Sequence, residues 1–285
     1  MTTPTSPPAR GKLADFIRRN PTIVVGGILL LIITLAALFA PVIARDPIAF
    51  EPINRLKGPS SEFWLGTDSL GRDVYSRMVY GARISLMVGL LVALITVISG
   101  SVIGLMAGYF PRVDAVVMRL MDGIMAIPSI LLAIALVALL GSSVKVVIIA
   151  IAIPEIPRVT RLVRAVVLSV RDLPYVEAAR SNGTRVAKLL RRHILPSTVA
   201  PLIVQATYIC ASAILTEAGL SFLGAGTPPE FPTWGNMIAS SRLYLQIAPW
   251  TIFAPGICLA LVVLAVNLLG DGLSDRIDPR ISRRM

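Results

Sequence analysis

The chain has 285 residues, of which 55% are hydrophobic and only 15% charged, with a mean hydropathy of +0.78. A soluble globular domain carries about 25% charged residues, so a soluble domain is excluded and the long apolar blocks mark a membrane protein. The net charge of +11 would fit nucleic acid in another context; among apolar blocks it reads as basic loops facing anionic lipid, with no nucleic-acid partner.

Residues 1–20 ("TTPTSPPARGK" and a short basic stretch) read as a tail. Six apolar blocks follow, at about 21–44, 84–109, 115–140, 144–170, 198–223 and 248–270. A crossing needs about 20 residues at ~1.5 Å each, and five blocks meet that length. The first is too long for a cleaved signal peptide and is expected to be an uncleaved span. The second carries Gly100, Gly104 and Gly108 on one helix stripe, where a neighbouring backbone can approach closely. The fourth is weaker: Pro154, Glu155, Pro157, Arg158, Arg161 and Arg164 follow "VKVVIIAIA", so a helix that crosses and runs out with a kink near the prolines is expected, with a re-entrant segment as the alternative. With the N-terminus inside, 19 of the 27 Lys and Arg residues fall on the inner side, which predicts six spans with both termini cytosolic. Trp64, Trp234 and Trp250 then lie at the outer side. Outer loops are expected at 45–83 and 224–247, an inner loop at 171–197 and an inner tail at 271–285.

The inner loop is basic. Asp172 can cap a helix with Pro174 in its first turn, and Asn182–Gly183 stops it. Thr184 can cap a second helix, "RVAKLLRRHIL", in which Val186, Leu189, Leu190 and Ile194 share a face and which Pro196 ends. A DNA-reading helix-turn-helix is implausible so near lipid. A basic helix lying on the inner leaflet competes with a docking element for a cytosolic partner, for which the short, small-residue "EAARSNG" is suited.

Here "EAA" at 177–179, Gly183 and "LP" at 195–196 resemble the EAA motif of ABC-importer permeases; His193 stands where that motif usually has Ile, as in the peptide and nickel branch. "WLGTDSLGRDVYSRMVYGARISL" (64–86), "LSFLGAGTPPEFPTWGNMI" (220–238) and "NLLGDGLSDRIDPR" (267–280) resemble the same branch, specifically the C-type permeases (DppC/OppC) of dipeptide/oligopeptide ABC importers. The resemblance implies an all-α membrane permease of the type I (MetI-like) importer fold in a bacterial cell membrane. It implies a B-type permease as heterodimer partner, two cytosolic ATPases that bind the ATP and Mg, and an extracytoplasmic peptide-binding protein. It also implies that Glu177, Ala178, Ala179 and Gly183 form the coupling helix seated on an ATPase. A nickel or glutathione importer is the alternative within the family.

Other signals carry no chemistry. "GTDSLGRD" (66–73) lacks the Lys and Ser/Thr that grip phosphate and reads as a capped turn in which Asp68 or Ser69 starts a short helix. His193 is the only histidine, so no catalytic set or metal site can be assembled and no cofactor is expected in this chain. Cys210 and Cys258 read as packing residues. Glu217, some 30 Å along the fifth span, could pair with an Arg, line an outer gate or take a snorkelling structural role; Asn267 is a second pathway candidate near the inner end of the sixth. A stand-alone secondary transporter would need coupling acids at mid-membrane, and a membrane enzyme would need a catalytic set.

Overall fold

The computed structural model describes Ile17 and residues 20–277; the readings of the 1–20 tail and of the end of the 271–285 tail lie outside the described residues. The helices are α1 (Pro21–Leu38), α2 (Ala40–Ile43), α3 (Val74–Tyr109), α4 (Pro111–Met125), α5 (Ser129–Leu140), α6 (Val144–Val170), α7 (Pro174–Ser181), α8 (Val186–Leu189), a π turn (Leu190–Ile194), α9 (Leu195–Phe222), α10 (Trp234–Ser241) and α11 (Trp250–Ile277). No strand occurs among the described residues, where pairing is limited to a bridge between Thr67 and Asp73.

Among the described residues, four helices are long and apolar enough to cross a membrane: α1, α3, α9 with the turns leading into it, and α11. The expected third span is not one straight helix. α4 and α5 qualify only as a pair bent by 88°. Pro128 lies at the break; it has no N–H to donate and disfavours helical backbone at Ile127. The expected fourth span forms as an uninterrupted helix that includes Pro154 and Pro157. Its 27 residues would reach about 40 Å, but Lys145, Glu155, Arg158, Arg161 and Arg164 keep it from the apolar set. Among the described residues, four apolar helices, one bent pair and the more polar α6 therefore stand where five full-length spans and a weaker fourth were expected.

α3 against α6 is the most extensive helix contact among the described residues. The glycine stripe is its seam. A Cβ at Gly100 would come within 2.6 Å of Val159 Cβ, at Gly104 within 2.7 Å of the Thr160 carbonyl, and at Gly108 within 2.6 Å of Val167 Cβ. Val159, Val163 and Val167 are completely buried there, so the arginines of α6 are directed to other faces. Arg164 forms a two-pronged ion pair with Asp114 of α4, and Arg161 pairs with Asp122. One hydrophobic cluster joins α3, α5, α6, α9 and the 171–194 loop; a second joins α1, α3, α9, α10 and α11. Cys210 and Cys258 are free and pack against the second.

The bundle has two distinct ends. At one, the loop end, Arg171 Nη1 donates to the Gly108 carbonyl at 3.0 Å. At the far end, Trp250 Nε1 donates to Thr67 O (3.2 Å), Trp234 Nε1 to Met78 O (3.0 Å) and Ser142 Oγ to Gly226 O (2.8 Å). All three tryptophans lie at that end, but Trp234 is a core residue rather than an exposed interfacial ring.

Candidate functional site

The 171–194 loop is a compact element fixed to the bundle by a few apolar side chains. α7 starts after Leu173 with Pro174 in its first turn. Asp172 does not cap it; its carboxylate pairs with Arg171 instead. Val176, Leu189 and Ile194 are buried in the first cluster, with Ala179 packed against it. Glu177 and Ala178 face outward, and Glu177 makes only a long, exposed contact with Arg180 (3.5 Å). Such exposed pairs contribute little stability, so the Glu177 carboxylate is free to exchange partners. Gly183 ends α7 at φ +73°, with Asn182 as the cap, and a Cβ there would meet nothing within 4 Å. Its glycine is needed for the left-handed backbone, not for space.

The second loop helix differs from expectation. Arg185, not Thr184, precedes it, and its first residue, Val186, is exposed. Pro196 does not end it. The chain passes through the π turn and continues as α9, with Pro196 in the first turn of that helix. Proline removes one N–H and crowds the carbonyl four residues back, and the wider π turn accommodates both. It also sets register. Leu189 and Ile194 are five apart, about 140° out of line on an α-helix, yet both are buried along with Thr198 and Leu202. Arg191 and Arg192 remain exposed on the other side.

At the far end the 66–73 segment is a capped turn, as expected, but it starts no helix at Asp68 or Ser69. Asp68 Oδ1 accepts from the backbone N–H of Leu70 (2.8 Å) and Arg72 (3.0 Å), and Oδ2 pairs with Arg72 (2.7 Å) and Arg77 (3.6 Å). Asp73 caps α3, accepting from Ser76 N at 2.9 Å. Arg72, Arg77, Arg242, Ser221, Thr227 and Asn236 line a cleft of about 590 Å³ there.

Among the described residues Glu217 pairs with no arginine. It is fully buried, and its Oε1 accepts from the hydroxyls of Ser221 (2.8 Å), Thr233 (3.0 Å) and Thr227 (3.1 Å). It therefore ties the 224–233 loop to α9, and three hydroxyls rather than a cation stabilise it. Asn267 is half-buried on α11, near the loop end, and the structure does not bring it together with Glu217. Sequence reasoning placed Glu155 and Arg158 in the polar run-out of the fourth block and missed that they form an ion pair (3.2 Å) halfway along α6; their i,i+3 spacing was the available signal. No group of three or more potential metal ligands exists among the described residues.

Residues 100–283 match the family described as "Binding-protein-dependent transport system inner membrane component", and residues 16–59 match "N-terminal TM domain of oligopeptide transport permease C". The chain belongs to this family of inner membrane transport components. Among its relatives, a probable peptide ABC transporter permease of Sinorhizobium fredii is 60% identical, over 94% of this chain and 92% of its own length. A dipeptide transport system permease of Alkalihalophilus pseudofirmus is 45% identical over 93% and 88%. Among solved structures, a chain of the MetNI methionine ABC transporter matches with a TM-score of 0.54 at 16% identity, covering 71% of this chain and 96% of its own. That likeness extends the inner-membrane-component assignment to the fold, which is the all-helical, MetI-like permease architecture.

Proposed function

We propose that this ABC permease carries dipeptides or oligopeptides across a bacterial cytoplasmic membrane, with both termini in the cytosol, as half of a heterodimer with a B-type permease. A binding protein delivers the peptide from outside, and two cytosolic ATPases supply ATP and Mg; this chain hydrolyses nothing itself. Relatives 45–60% identical that are named peptide or dipeptide permeases support the solute class.

The observation that carries the coupling role is the placement of α7. It is short, anchored by buried Val176, and set between α6 and the helix leading into α9. Glu177, Ala178 and Gly183 lie on its open side, Ala179 packs beneath them against the bundle, and together they form the seat for an ATPase. A push on α7 is passed to α6 and α9 together, because both flank it with no long linker. The test is reconstitution of the importer in liposomes with labelled dipeptide. Uptake that needs ATP, the binding protein and an intact Gly183 is expected; uptake without ATPases overturns the reading.

A further inference from the structure

Arg158 lies 14 residues from the start of α6 and 12 from its end; Tyr208 lies 13 and 14 residues from the ends of α9. At ~1.5 Å per residue both are about 20 Å from either end of their helices; Tyr208 is thus near the middle of α9, which belongs to a crossing helix, and Arg158 is level with it. The Arg158 guanidinium sits over the Tyr208 ring, 5.3 Å from its centroid. Yet its side chain is 46% exposed and Tyr208 is 52% exposed. Arg158 does not reach for the loop-end surface. Its ion pair is with Glu155, three residues deeper toward the far end. Glu155 Oε2 is otherwise buried without a hydrogen bond, and so is Nε2 of Gln205, three residues from Tyr208 on α9.

A guanidinium has five N–H donors, and Arg158 uses them on one ion contact and one ring face, with no hydrogen bond among the described residues. An exposed charge at half-depth does not face hydrocarbon; it faces protein or water. Elsewhere at comparable depth the exposed residues are apolar, such as Leu261 and Leu264 on α11 and Leu31 and Ile32 on α1. Among the described residues, the polar side at this level is thus the one bearing Arg158 and Tyr208.

We infer that the side of α6 and α9 bearing Glu155, Arg158 and Tyr208 lines a hydrated passage, and that Arg158 is its contact for a carboxylate of the passing solute. Glu155 already neutralises Arg158. A fixed carboxylate from a partner subunit would leave an uncompensated charge in the membrane, whereas a zwitterionic solute brings its own positive group. The carboxylate assignment rests on the peptide reading above; the hydrated face does not.

The experiment uses the assembled importer with Cys210 and Cys258 replaced by alanine, carrying Tyr208→Cys or, as control, Leu264→Cys. A sulfonated, membrane-impermeant methanethiosulfonate should label Tyr208→Cys at least tenfold faster than Leu264→Cys. Free dipeptide should slow that labelling severalfold, and its C-terminal amide at least tenfold less effectively. With Arg158→Gln added, the two peptides should protect equally. Tyr208→Cys as inert as the control would overturn the hydrated face and mark a sealed subunit contact. Fast labelling with equal protection by acid and amide in the parent would overturn the carboxylate contact. A wrong solute class looks different: labelling stays fast, but the importer takes up no peptide.

Discussion

Arg171, the residue that follows α6, donates from Nη1 to the carbonyl oxygen of Gly108 near the end of α3, at 3.0 Å. The helix entering the coupling loop is thereby fastened to the glycine-striped helix at the level where force would arrive. A charged donor to a carbonyl contributes about 1.5–3 kcal/mol when well formed, less here because Arg171 is partly exposed. Arg171→Gln should leave the protein inserted but lower ATP-driven uptake severalfold, measured at matched membrane levels. Unchanged uptake would show that this tie transmits nothing.

The stripe itself admits no side chain. Gly104→Ala places a Cβ 2.7 Å from the Thr160 carbonyl and 2.8 Å from Val163 Cβ, and backbone cannot step aside cheaply. Overpacking of this kind costs about 1–3 kcal/mol. The midpoint of thermal unfolding in detergent should fall for Gly104→Ala and stay put for Gly123→Ala, where nothing lies within 4 Å. Equal midpoints would refute the close approach of α3 and α6.

Gly183 makes the opposite case, open space with a left-handed backbone (φ +73°). Gly183→Val should abolish coupled uptake, since an L-residue pays about 1–2 kcal/mol or more in that conformation. Gly183→Asn should retain much of it, because Asn tolerates the left-handed region. Loss in both variants alike would point to bulk against the ATPase rather than backbone shape.

Glu217 anchors three hydroxyls through one oxygen. Glu217→Gln keeps that acceptor, and Glu217→Ala leaves all three donors and a void. Each buried group left unsatisfied costs about 1–3 kcal/mol. Limited proteolysis should therefore cut the 224–233 loop quickly in the alanine variant and slowly in the glutamine variant. Equal rates would mean that the carboxylate does not hold the loop.

Orientation is testable directly. Ser61 and Ser181 are both exposed, at opposite ends of the bundle. Ser61→Cys should react with an impermeant thiol reagent added outside intact cells, and Ser181→Cys only after lysis. Reaction of both from outside would reject the cytosolic placement of the coupling loop.

Much of this arrangement was readable from the chain. Long apolar blocks gave α1, α3, α9 and α11, and the Gly100–Gly104–Gly108 spacing marked a close helix approach on α3, though not that α6 is the partner. Asn182–Gly183 marked the end of α7. What escaped depends on partners that sequence spacing does not reveal. Asp172 and Thr184 are good capping residues, yet Asp172 is drawn to Arg171 and the cap of the second helix falls on Arg185, one residue beyond Thr184. Pro196 reads as a stop unless a π turn precedes it. The partners of Glu217 stayed open between an arginine, a gate and a structural role, because hydroxyls from 10 and 16 residues away leave no periodic trace. Glu155 and Arg158 were read as the polar continuation of a weak span, since depth depends on where α6 begins and not on its local composition.

The right-angled break between α4 and α5 bears on the surrounding lipid. α5 has 12 residues, about 18 Å of helix, against a hydrocarbon core of about 30 Å. Acyl chains beside it meet an apolar column some 12 Å too short. On that flank the bilayer would have to thin, or a neighbouring subunit would have to displace the lipid. The hydrophobic mismatch is confined to one side, so transport by this permease should respond to acyl-chain length, with shorter-chain bilayers favoured where α5 borders lipid.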